Sequence, residues 1–168
     1  NLRWQMEAIV AVYEAWGIGK DGTQPIALKA DRKFFRQTTK GYTVIAGRRT
    51  VEDFPGKQPL PGRENILLTR GTGDFPGFHL CGSVEEVLEA VKNTSQVMVI
   101  GGESVYRQLL PYCDLVYVTR LHTTVPCDTW FPNLDRDADW HLEQVLGSGE
   151  EEGIAYEFCL YRRKGETG

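Results

Sequence analysis

Three short stretches combine glycine, arginine and hydroxyl side chains in the way an anion site requires. Ile100–Gly101–Gly102–Glu103–Ser104 puts two glycines at the end of an apolar run, where backbone can approach a ligand with no Cβ in the way. Val105 and Tyr106 carry that stretch into a helix whose free N–H groups and positive dipole end would face the same space. Gly47–Arg48–Arg49–Thr50 places two planar guanidinium forks and a hydroxyl at a second helix start. Leu68–Thr69–Arg70 ends a strand with a hydroxyl and a third arginine. Taken singly, each stretch also reads as an ordinary turn. Together, at strand ends where open α/β sheets bind ligands, they suit a ligand with several separated phosphates, such as a dinucleotide bearing a ribose 2′-phosphate. No Gly-x-Gly-x-x-Gly follows the first strand, and Gly17–Ile18–Gly19 has no helix behind it, so the site is not of the Rossmann design.

A fourth feature is acidic. Leu28, Asp31 and Phe35 fall at i, i+3 and i+7, on one face of a helix. A carboxylate between leucine and phenylalanine is out of place in a core stripe. It is either a solvated first-turn carboxylate or a partly desolvated acid able to pair with an amidine-like ring edge. Burial would raise its pKa, and a cationic ligand would lower it again. Leu60–Pro61–Gly62–Arg63 is a rigid turn ending in one arginine, which serves either as a connector or as a bidentate grip on a substrate carboxylate.

Positioning these groups takes an alternation of strands and helices. Met6–Tyr13, Tyr42–Ala46, Asn65–Thr69, Val97–Ile100 and Leu115–Leu121 read as strands. Lys29–Thr39, a short segment near Val51, Ser83–Lys92 and a segment ending at Leu110 read as helices, with Ser83 and Glu86 at capping-box spacing. Trp140–Gly147 and Ala155–Arg162, separated by turn-prone Gly149–Gly153, read as an antiparallel pair at a sheet edge. The pattern predicts one α/β domain over residues 1–168, with a mainly parallel central sheet, an antiparallel C-terminal edge and flanking helices. Asn1–Gln5 reads either as an N-terminal extension ahead of Met6 or as a non-native remnant.

Composition narrows the function classes. The 168 residues suffice for one sizeable core, and a formal charge of −4 without a basic stripe argues against nucleic acid. No apolar run approaches the roughly 20 residues a membrane helix needs. Cys81, Cys113, Cys127 and Cys159 are scattered, and His79, His122 and His141 miss metal-ligand spacing. Reduced thiols in a cytoplasmic protein, with no metal and no disulfide framework, is the resulting expectation.

In their order and spacing these pieces resemble the dihydrofolate reductase family from about Met6 to Arg163. The matching residues are Ala11, Gly17–Ile18–Gly19, Pro25, Leu28, Asp31, Phe35, Gly47, Arg48 and Thr50 in the first part of the chain. Leu60–Pro61–Gly62–Arg63–Glu64–Asn65, Ile100–Gly101–Gly102, Tyr106, Thr119, Asp128–Thr129 and Phe131–Pro132 follow. The resemblance implies a cytoplasmic, monomeric, NADPH-dependent reductase of 7,8-dihydrofolate that supplies tetrahydrofolate and binds antifolate inhibitors. It implies that Asp31, with Thr119, binds the pterin amino group and N3 and promotes protonation at N5. Ile9, Val10, Ala11, Leu28, Phe35, Leu60 and Ile100 would line the substrate, and Arg63 would hold its glutamate carboxylate. Gly47, Arg48, Arg49, Thr50, Leu68, Thr69, Arg70, Gly101, Gly102, Glu103, Ser104 and Val105 would hold the NADPH phosphates and their surroundings. Ala11, Ile18, Gly19, Ile100 and Tyr106 would flank the nicotinamide.

Three departures stand out against that resemblance. Ile26 occupies the catalytic-site position where the family has tryptophan, so an indole N–H that helps hold an ordered water is missing and the Asp31 pKa should rise. Lys29 stands where proline is frequent, which points to a conformational change at a helix start. Phe54–Gln58 is slightly longer than usual. Two rival readings are a same-fold reductase of a riboflavin-pathway pyrimidine and a non-catalytic pterin or nucleotide binder.

Overall fold

The computed structural model describes residues 6–165, so Asn1–Gln5 lies outside the described residues. Five parallel connections build most of one sheet. Its first strands are β1 (Met6–Val12), β3 (Thr43–Gly47), β4 (Glu64–Leu68) and β5 (His79–Cys81), followed by β6 (Val97–Gly101) and β7 (Cys113–Leu121). Two long strands, β9 (Trp140–Glu151) and β10 (Ile154–Arg163), complete it in the order β5-β4-β3-β6-β1-β7-β10-β9. All pairs from β5 to β7 are parallel, whereas β10 runs antiparallel to both β7 and β9. A separate two-stranded ribbon joins β2 (Gly17–Gly19) to β8 (Thr129–Trp130).

Alternation along the strands separates two apolar layers. Ala8, Val10, Ile45, Val99, Val116 and Val118 face one side, with α3 (Val84–Val91) and α4 (Glu103–Leu109). Ile9, Val44, Ala46, Met98 and Ile100 face the other, where Phe34 and Phe35 of α1 (Lys29–Thr39) cover them. The sheet thus sets α1 on one face. The glycine turn that follows β6 leads to α4 on the opposite face.

Helix α1 starts at Lys29, and Leu28 precedes it in extended conformation as a buried N-cap residue without a side-chain cap. Helix α3 does begin with Ser83 accepting from the Glu86 N–H. The return bond of the capping pattern differs from expectation: the Glu86 carboxylate takes the Gly82 N–H, one residue upstream of the cap.

Candidate active site

The strand ends carry the site. Thr119 on β7 pairs with Ala11 at the end of β1, so both lie beside α1 on the same face of the sheet. Asp31 sits in the first turn of α1, largely removed from solvent. Burial pushes its carboxyl above the ordinary carboxylate range, and the nearby Thr119 hydroxyl pulls it partly back. Thr119 Oγ1 is buried and makes no hydrogen bond of good geometry among the described residues. An acid and a hydroxyl are therefore presented together to whatever polar edge enters beside Ala11.

Tyr106 joins this acidic half to the glycine turn. Its buried hydroxyl donates to the Ile9 carbonyl oxygen at 2.6 Å, and a Cβ built on Gly101 would lie 3.5 Å from that hydroxyl. Burial, helped by the charge of Asp31, pushes the Tyr106 phenol well up, so it stays a neutral donor. Gly101 adopts φ +129°, a conformation that penalises any side chain, and an added Cβ would stand 3.2 Å from Thr50 Oγ1. Gly47 is forced by close packing instead, since a Cβ there would come within 2.8 Å of Val105 Cγ2. The two turns predicted to bind phosphate are thereby packed against one another through Thr50 and Val105.

The third anion stretch joins the second through Gly71. Thr69 Oγ1 accepts the Gly71 N–H, and a Cβ on Gly71 would lie 3.2 Å from Arg48 Nη1. The exposed Arg48 guanidinium stands 5.7 Å from the Phe75 ring centroid. Arg48 and Thr69 thus converge, with exposed Arg49 and Arg70 flanking them. This cradle of small backbone and fixed positive charge fits a phosphate-bearing dinucleotide. Leu68 and Ile100 are buried at their strand ends, and Ile18, within β2, packs against the core. Two predicted contacts are partly occupied within the protein. Glu103 Oε2 accepts the Trp130 N–H, and the Ser104 hydroxyl accepts from Gln108.

On the α1 side, Arg63 donates from Nε to Thr39 Oγ1 and from Nη1 to the Pro61 carbonyl, and stands 6.0 Å from the Phe35 ring centroid. These bonds fix the fork while leaving donors for a carboxylate. Desolvation and the neighbouring Arg36 charge lower its pKa, a combination that favours an incoming anion.

The comparisons with known proteins point to one family. The dihydrofolate reductase family profile matches residues 5–163. The dihydrofolate reductase of Bacillus subtilis is 34% identical over 153 residues, covering 89% of each chain. A bifunctional dihydrofolate reductase-thymidylate synthase of Zea mays is 40% identical over 149 residues, with 77% of this chain and 29% of that protein aligned. The dihydrofolate reductase of Enterococcus faecalis, solved in complex with NADP(H) and RAB-propyl, superposes with TM-score 0.86 at 35% identity, covering 98% of this chain and 99% of that one.

This chain belongs to the dihydrofolate reductase family. Ile26, singled out in the sequence as a departure from the dihydrofolate reductase pattern, is held through its backbone. Its backbone N–H donates to the Tyr13 hydroxyl at 2.7 Å, and that hydroxyl donates to the Ile26 carbonyl at 2.8 Å. Gln24 adds its amide beside the same hydroxyl. Ile26 itself packs with Ala11, Tyr13, Leu28 and Leu121, so the acid's surroundings on this side are apolar. Tyr13 and Gln24 carried no sequence signal. A tyrosine after a buried strand reads as core, and its partner lies 13 residues away.

Proposed function

We propose that the chain reduces 7,8-dihydrofolate to 5,6,7,8-tetrahydrofolate with NADPH, using Asp31 to hold and polarise the pterin ring. The observation that carries this reading is the half of the site built on α1. A desolvated carboxyl lies beside the buried Thr119 hydroxyl, and the Tyr106 hydroxyl ties the neighbouring Ile9 carbonyl to the glycine cradle. When bound, NADPH supplies a hydride from nicotinamide C4 to pterin C6. The protein's part is orientation and electrostatics. Asp31 accepts hydrogen bonds from the 2-amino group and N3, and its raised pKa favours a proton on the acid–pterin pair, which promotes protonation at N5. Thr119 keeps the carboxyl oriented. Leu28, Phe35, Leu60, Ile9 and Ile100 exclude water from the ring, and Arg63 grips the carboxylate tail. Val10, with its side chain in the opposite layer, contributes backbone only. Arg48, Thr69 and Arg70 select a 2′-phosphate.

The same reading makes the enzyme a single-domain cytoplasmic monomer without nucleic-acid or membrane partners. The −4 charge with no basic stripe speaks against nucleic acid, and no helix among the described residues is long and apolar enough to cross a membrane. The test mixes purified protein with NADPH and 7,8-dihydrofolate and follows NADPH oxidation beside an Asp31→Asn variant. Rapid oxidation that the variant loses is the expected result. Equal rates would remove Asp31 from its role, and no oxidation by the wild type would point to the sister pyrimidine reductase or a non-catalytic binder.

A further inference from the structure

The N-terminus of α1 is capped from the far end of the sequence. Leu28, the residue in the cap position, supplies no side-chain acceptor, so the first N–H groups of the helix need another partner. Glu151, at the end of β9, provides it. Its Oε2 accepts the Lys29 N–H at 2.8 Å and its Oε1 accepts the Ala30 N–H at 3.0 Å, across a separation of more than a hundred residues. One carboxylate therefore occupies two consecutive helix-start donors with both oxygens, the arrangement in which charge-assisted bonds are strong and the helix dipole adds to them.

The hairpin delivers that carboxylate to a fixed place. Glu151 pairs with Ile154 across a two-residue turn in which Glu152 and Gly153 both have positive φ, 52° and 79°, the backbone of a type I′ hairpin. Ile154 packs in the cluster that contains Leu28, Tyr13 and Leu121. The tip thus touches the helix start twice, through an apolar contact and through the cap. The bonds from Ala30 and Lys29, together with the nearby Lys29 and Arg32 charges, hold Glu151 below the usual carboxylate range. The Lys29 N–H is also a donor that proline could not supply.

We propose that Glu151 is a positioning residue for the substrate half of the site, fixing the first turn of α1, and with it Asp31, through this two-bond cap. The proposal rests on the reductase reading of that site. It makes a prediction that general stabilisation does not: α1 carries Asp31 and Phe35, whereas the cradle for NADPH is built on the turns after β3, β4 and β6. Loss of the cap should therefore damage dihydrofolate binding and spare NADPH.

The experiment measures KM for dihydrofolate, the NADPH dissociation constant by fluorescence, and amide hydrogen exchange at Lys29 and Ala30, in wild type, Glu151→Ala and Glu151→Gln. For Glu151→Ala the expected result is a rise in dihydrofolate KM of roughly threefold or more. The same variant should show faster exchange at both amides and an unchanged NADPH constant. Glu151→Gln, which keeps a carbonyl acceptor, should recover part of the loss. Equal weakening of NADPH and dihydrofolate would reduce Glu151 to a merely structural residue. Unchanged KM with accelerated exchange would show that the cap does not position Asp31. If wild type itself failed to turn over, the reductase reading would fall, and the exchange data alone would then say whether the cap exists.

Discussion

A carboxyl that folding drives out of water carries a cost at neutral pH, and Asp31 is the clearest case in this chain. Its folded pKa lies above the ordinary value of 3.8, mainly because of burial. The folded state therefore binds the proton more tightly than the unfolded state. As pH rises from below 3.8 through the raised value, stability is lost, and the loss is complete once both states are ionised. Asp31→Asn removes that titration. The variant should unfold at higher denaturant than wild type at neutral pH, and the difference should shrink towards zero at acid pH. Turnover should move the opposite way, falling by roughly 10²–10⁴ as expected for a lost acid–base group. A variant that is both less active and less stable at neutral pH would contradict the burial argument. Ile26 belongs to the same account. It packs with Leu28 and Ala11 and brings no donor toward the acid. Ile26→Trp should restore one and lower the apparent pKa of the pH–rate profile, and an unmoved profile with unchanged kinetic constants would sink the idea.

The segment between β2 and α1 is held closed by single groups from other elements. Tyr13, buried at the end of β1, uses one hydroxyl to satisfy both the N–H and the carbonyl of Ile26. Tyr13→Phe keeps the ring but strands those backbone groups, which should cost about 1–3 kcal/mol in denaturant unfolding. Amide exchange should rise at Ile26 and leave the β9–β10 hairpin unaffected. A loss spread evenly over the protein would mean that the hydroxyl does not act locally. This latch and the Glu151 cap also show where sequence reading ends. The long strands, α1, α3 and the antiparallel edge were legible because their apolar periods are long and their turns are marked by glycine and proline. The three glycine- and arginine-bearing turns stood out only in combination, since each alone also reads as an ordinary turn. Strands β2, β5 and β8 are only 3, 3 and 2 residues long, too short for a period to register. Contacts such as Glu151 to Lys29 depend on topology that brings distant segments together, and no local pattern announces a glutamate whose partner is a backbone amide 122 positions away.

For the molecule as a whole, a net charge of −4 opposes the binding of a phosphate-rich cofactor, so the local cluster at Arg48, Thr69 and Arg70 has to overcome a repulsive background. On the proposed assignment that cluster meets the 2′-phosphate alone, and the Gly101–Gly102 turn meets the rest of the dinucleotide. Binding to the folded state stabilises it by mass action, about 2.7 kcal/mol when the ligand is at one hundred times its dissociation constant. For a chain of this size each kcal/mol moves the melting temperature by about 2–4 °C. NADPH at saturating concentration should therefore raise Tm by about 5–10 °C, and NADH at the same concentration by much less. Arg48→Gln should bring the NADPH shift down towards the NADH value while leaving the NADH shift in place, since Arg48 is exposed and its loss removes charge without opening the core. Added salt should narrow the difference between the cofactors in wild type and change little in the variant. Equal shifts for the two cofactors in wild type would place the 2′-phosphate away from this cluster. An Arg48→Gln variant that lost both shifts would instead assign Arg48 to the common part of the dinucleotide.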